Sequence, residues 1–99
     1  MNRKRIPYGE KLPVYFSSKE LEDIREHTFV GSDFGQYAIV EDKRLRLDLS
    51  LDDIEDVQGY IAAEANHTRN AKLRQRLDKL FDKFQKYPDQ YSDQEQVQT

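Results

Sequence analysis

Apolar and polar residues alternate one by one in two short stretches of the chain and recur every three or four residues in three longer ones. The first pattern marks a strand with one buried face, the second a helix with an apolar stripe. In Leu12-Pro13-Val14-Tyr15-Phe16 the β-branched and aromatic residues predict a short strand, and Pro13, which has no N–H to give a ladder, suits its start or a sheet edge. Ser17-Ser18 followed by Lys19-Glu20-Leu21-Glu22-Asp23-Ile24 predicts a helix. A serine hydroxyl can accept from the orphan N–H groups of its first turn, acids favour the positive end of its dipole, and it should end near His27 or Thr28. Residues 29–35 read as a loop broken by Gly31 and Gly35. Tyr37-Ala38-Ile39-Val40 reads as a strand and Glu41-Asp42-Lys43-Arg44 as a polar turn. Leu45, Leu47 and Leu49 alternate with Arg46 and Asp48, which predicts a second strand and makes the pair a hairpin.

Ser50 opens the next helix, with Asp52, Asp53, Glu55 and Asp56 loading its first turns. Its apolar positions Leu51, Ile54, Val57, Ile61 and Ala65 lie on one face, and Gly59, Ala62, Ala63 and Ala65 allow a close neighbour. It should run to about Asn66, with Asn66 or His67 closing it in the left-handed conformation. Thr68 is the expected cap of a third helix, whose stripe Leu73, Leu77, Leu80, Phe84 and Tyr87 has Phe81 alongside, and Pro88 should stop it. Residues 14–24 and 47–57 align without gaps as apolar, any, apolar, Ser, any, any, acid, aliphatic, Glu, Asp, aliphatic. Convergence on one strand-to-capped-helix solution and an ancient duplication both account for this echo, and under either Ser17 and Ser50 are caps and not nucleophiles.

These elements predict an α+β domain over residues 12–87, ordered strand, helix, hairpin, helix, helix, with a small sheet covered by two or three helices. Residues 1–11 read as a flexible basic arm and 88–99 as a disordered acidic tail. The stripe of the third helix is longer than a small sheet and one short helix readily cover. Leu73, Leu77, Leu80 and Phe84 are therefore expected to form a homodimer seam within helix 69–87.

Composition limits the functions available. Of 99 residues, 36% are hydrophobic and 35% charged, so the core is thin. There is no cysteine, hence no disulfide, thiolate metal site or thiol nucleophile. No apolar run approaches the length of a membrane span, and the basic Asn2-Arg3-Lys4-Arg5 leads into Ile-Pro-Tyr-Gly instead of a signal-peptide core, so a cytoplasmic protein with no membrane partner is expected. The net charge of −3 conceals opposed blocks of −5 over residues 51–66 and +5 over residues 69–86. Arg69, Lys72, Arg76, Lys79, Lys83 and Lys86 form a basic ridge beside the apolar stripe. The ridge either presents an anion or nucleic-acid surface, helped by Arg3, Lys4 and Arg5, or faces the acids of the second helix or of a partner subunit.

Candidate chemistry is sparse. Glu64 and His67 have the Glu-x-x-His spacing that places a carboxylate and an imidazole on one helix face, as in di-iron bundles, but such a centre needs further ligands; the alternative is that His67 only ends the helix. His27 and His67 have no recognisable nucleophile beside them, and the four glycines form no phosphate-binding loop, so no catalytic residue and no cofactor are expected. A strand entering two helices also has the pattern of the ribbon-helix-helix DNA-binding domain, in which Arg46 and Asp48 would face outward. Gly59-Tyr60-Ile61-Ala62-Ala63-Glu64-Ala65-Asn66-His67-Thr68, continued by Lys72-Leu73 and Leu77-Asp78, resembles a segment of a family of small uncharacterised bacterial proteins. The resemblance implies no activity and makes the Glu-Ala-Asn-His-Thr junction a family feature. The leading expectation is a non-catalytic interaction module whose partner is itself or another protein. Nucleic-acid binding through the ridge comes second and a metal site at Glu64 and His67 third.

Overall fold

The computed structural model describes residues 3–31 and 33–93. In chain order the elements are β1 (Lys4–Ile6), β2 (Leu12–Phe16), α1 (Ser18–His27), β3 (Ile39–Glu41), β4 (Arg44–Leu49), α2 (Leu51–His67), α3 (Ala71–Gln90) and β5 (Tyr91–Asp93). The class is α+β. An antiparallel sheet of order β2-β4-β3 and a parallel pair β1-β5 pack on three helices.

Two strand-to-helix units build the framework, and each is fixed by the same local device. The Glu20 N–H donates to Ser17 Oγ at 3.1 Å while the Ser17 N–H donates to the Glu20 carboxylate at 2.8 Å, and Ser50 and Asp53 repeat this exchange at 3.1 Å in both directions. Orphan N–H groups at both helix starts are thereby satisfied, so both serines are caps. The strands of these units lie side by side, with Leu12 opposite Leu49, Val14 opposite Leu47 and Phe16 opposite Leu45, which puts the alternating apolar residues on one face. Asp42 and Lys43, at φ 50° and 66°, both in the left-handed region, close the β3-β4 hairpin as a two-residue turn whose twist matches the right-handed twist of the strands. The loop before β3 folds back on α1, where Arg25 donates to the Phe34 carbonyl. Gly35, at φ +81°, sits so close to Leu21 that a Cβ would approach that side chain to 2.8 Å.

The expected homodimer seam is used within the chain. Leu73, Leu77, Leu80 and Phe84 are all buried in the single subunit, with Leu77 and Phe84 fully so. They pack with Val14 and Phe16 of β2, Ile24 of α1 and Ile54, Val57 and Ile61 of α2. Phe84 meets Phe16 edge to face at 5.7 Å, an arrangement that adds about 0.5–1.5 kcal/mol beyond area burial. Periodicity marked the stripe correctly but overestimated what was left to cover it, because α1, α2 and β2 all converge on the same helix.

Both chain ends differ from expectation over the described residues. Lys4–Ile6 is not a loose arm but a strand paired in parallel with Tyr91–Asp93, and Ile6 is buried in the core. The tail is accordingly structured as far as Asp93, while residues 94–99 lie outside the described residues. Pro88 does not stop α3: it sits in the last turn, where its ring removes one N–H donor, and the helix still closes through the Tyr91 N–H to the Tyr87 carbonyl. Thr68 is not the cap of α3. It is the C-cap of α2, in extended conformation, and Asn70 accepts from the Leu73 N–H to start α3. Neither Asn66 nor His67 is left-handed, because α2 closes through the Thr68 N–H to the Glu64 carbonyl.

Two outcomes test this arrangement. Replacing Ile6→Ala lowers the urea-unfolding free energy by about 2 kcal/mol, whereas a loose arm would register no change. Asp53 is pushed up by partial burial but held below its ordinary value overall by the Lys11 ammonium and by the Ser50 N–H and hydroxyl. A depressed folded-state pKa contributes stability that is complete above the unfolded value, about 3.9, and is lost as the pH falls through the lower folded value. Thermal scans from pH 5 to 2 should therefore fall less steeply for Asp53→Asn than for the parent chain.

Candidate functional site

The basic ridge is divided by its surroundings. Arg76 reaches across to α1 and holds the buried Asp23 carboxylate with two contacts, Nε at 2.8 Å and Nη2 at 3.3 Å, and Lys19 adds a second cation at 3.6 Å. The pair holds the Arg76 guanidinium above its ordinary pKa, chiefly through the hydrogen bond to Asp23. Lys83 donates to Glu20, also on α1, at 3.0 Å. The acids that pair with Arg76 and Lys83 thus come from α1, and among the described residues no acid of α2 pairs with the ridge. Arg69, Lys72, Lys79 and Lys86 are exposed, and no acid lies within 4 Å of them among the described residues.

At the C-terminal end of the ridge the chain forms a groove of about 540 Å³ between the outer side of β2, the last turns of α3 and the start of β5. Tyr15, Tyr87 and Tyr91 supply aromatic walls; Arg44, Lys83 and Lys86 supply cations, and Glu20 is the one acid. The Arg44 guanidinium lies over the Tyr15 ring at 4.2 Å, within the range of cation–π attraction. Tyr87 donates from its hydroxyl to the Pro13 carbonyl at 2.8 Å. Burial raises the Tyr87 pKa, with smaller contributions from the neighbouring Tyr15 and Tyr91, so the phenol is neutral at physiological pH. The β1-β5 pair places Lys4 opposite Tyr91, and Arg3 donates to the Pro88 carbonyl, so the basic arm is fastened beside this groove.

The far edge of the sheet has the opposite character. Ile39 and Val40 on β3 are 52% and 74% exposed, and Phe29 and Tyr37 in the preceding loop are 85% and 82% exposed. The β2 edge is guarded, since Pro13 offers no N–H and its carbonyl is occupied by Tyr87. Among the described residues no comparable guard lies along β3.

The other sequence candidates separate. Glu64 is half-buried and His67 exposed at the end of α2, and among the described residues no three His, Asp or Glu side chains come together in a way that could hold a metal ion. β4 is flanked on both sides within its own chain, by β2 and β3, so it has no free edge for the two-fold strand pairing of a ribbon-helix-helix dimer. No helix among the described residues is long and apolar enough to cross a membrane. The groove tyrosines, Arg44 and the exposed β3 edge were not singled out as functional in the sequence; the available signals were the six tyrosines and the adjacent aliphatics Ile39-Val40, which break the alternation of a half-buried strand. Comparison with known protein families, curated proteins and solved structures finds no match for this chain.

The division of the ridge has a measurable consequence. Arg76→Ala leaves the buried Asp23 carboxylate with only the more distant Lys19 and lowers Tm by about 5–10 °C, whereas Lys72→Gln shifts it by about 1 °C or less in the same thermal scans.

Proposed function

We propose that the chain is a non-catalytic interaction module that pairs with a second copy of itself through β3. The observation that supports this reading is the exposure of Ile39 and Val40 on an unguarded sheet edge, with the exposed Tyr37 two residues before it in the chain. Isolated exposed apolar residues need no explanation, but a cluster at an open strand edge is where another strand gains both backbone bonds and apolar burial.

Hairpin geometry supports a two-fold arrangement. In a hairpin closed by two residues, the residues flanking the turn exchange both of their ladder bonds, so Glu41 directs its N–H and C=O toward Arg44. The next residue back, Val40, then directs both groups away from β4. Antiparallel pairing of two β3 strands about Val40 gives reciprocal Val40 N–H to Val40 C=O bonds and a continuous six-stranded sheet. Such a contact is isologous and closes at two subunits. The self-association expected from the α3 stripe is thereby relocated to a surface that the single chain leaves uncovered.

Light scattering after size exclusion at tens of micromolar should give the mass of two chains. Val40→Lys, which puts a charge on the edge without touching the core, should give the mass of one chain at unchanged Tm. A one-chain mass for the parent protein, or a two-chain mass for Val40→Lys, overturns the reading.

A further inference from the structure

The groove at the end of α3 has no part in β3 pairing, and its chemistry is specific enough to name a ligand class. We propose that it binds an unpaired nucleotide of a single-stranded nucleic acid, with the base against the tyrosine walls and the phosphate on Arg44 and Lys86. A volume of about 540 Å³ lies within the range of small-molecule pockets and suits a base with its sugar. Three tyrosines line it, and every base has a π face that stacks on such a wall whatever its identity.

Charge selects the rest of the ligand. The chain as a whole is acidic at −3, yet this hollow holds three cations against Glu20, and Glu20 is already engaged by Lys83 and by the Ser17 N–H. Arg44 and Lys86 are left without an acid within 4 Å among the described residues. Lys72, Lys79 and Lys86 recur every seven residues, so they lie nearly in line on the exposed side of α3, about 10 Å apart, and lead along the helix into the groove. On its other side the β1-β5 pair holds Lys4 next to Tyr91. A flexible strand can follow this line of cations and turn one base into the hollow. A duplex cannot offer a base to the hollow in this way, because its bases are paired and stacked on each other.

Fluorescence anisotropy of a labelled twelve-residue oligothymidylate tests the assignment, with a duplex of equal length and polyglutamate as comparison ligands. The single strand should bind, with a slope of log affinity against log salt of about −2, as expected for three phosphate contacts on a single strand. Arg44→Gln and Lys86→Gln, both at exposed positions, should each weaken binding by roughly threefold to tenfold and flatten the slope, and Tyr91→Ala should weaken it roughly tenfold. Intrinsic tyrosine fluorescence should be quenched on saturation, a signal of stacking that phosphate contact alone does not give. Absence of binding at 50 mM salt, equal affinity for the duplex or for polyglutamate, or unchanged affinity in both Arg44→Gln and Lys86→Gln overturns the proposal.

Discussion

Burial of the apolar stripe of α3 is the constraint on which the rest of the structure depends. The thin core offers few large side chains, and Leu73, Leu77, Leu80 and Phe84 are four of the best buried. Each neighbouring element packs against that helix and is then fixed by a polar contact at its margin. α1 is held by Asp23 to Arg76 and Glu20 to Lys83, α2 by Gln58 to Gln85, β2 by the Pro13 carbonyl to Tyr87, and the N-terminal strand by Arg3 to the Pro88 carbonyl. Apolar burial drives the assembly because it scales with area, and the polar contacts give it a single register because they are directional.

The same constraint separates the structural charges from the available ones. A carboxylate as buried as Asp23 is tolerated only with a close partner, so Arg76 is committed to the fold. The seven-residue line of Lys72, Lys79 and Lys86 points the other way, toward solvent, and ends at the tyrosine groove. β3 is the edge of its sheet, bonded to β4 along one side, and its Ile39 and Val40 side chains are left exposed.

What could be read from the sequence was whatever is decided locally. Ser17 with Glu20 and Ser50 with Asp53 carry complete capping signals within four residues, and Leu45, Leu47 and Leu49 show their buried face by alternation alone. The pairing of Lys4–Ile6 with Tyr91–Asp93 could not be read in this way. It joins the two ends of the chain, and neither three-residue segment has an alternation of its own. The α3 stripe was legible as a stripe, but periodicity states that a face is buried and not what buries it. The partners of Arg76 and Lys83 were not legible for a related reason: the acids of α2 are nearer in sequence, while Asp23 and Glu20 are nearer in space. Within the groove, Lys83 and Lys86 were visible as members of the ridge, whereas Tyr15, Tyr91 and Arg44 come from three separate strands and meet only in the folded chain.

The central claim is that the α3 stripe is satisfied within one chain, and the proposal that rests on it is that self-association runs through β3. The most direct test is a dilution series of two-dimensional amide NMR spectra on the intact protein, from about 10 to about 500 micromolar. The account predicts concentration-dependent shifts confined to residues 37–42, with the amides of Leu73, Leu77, Leu80 and Phe84 unmoved. Shifts centred on those four α3 residues, with residues 37–42 unaffected, would contradict it.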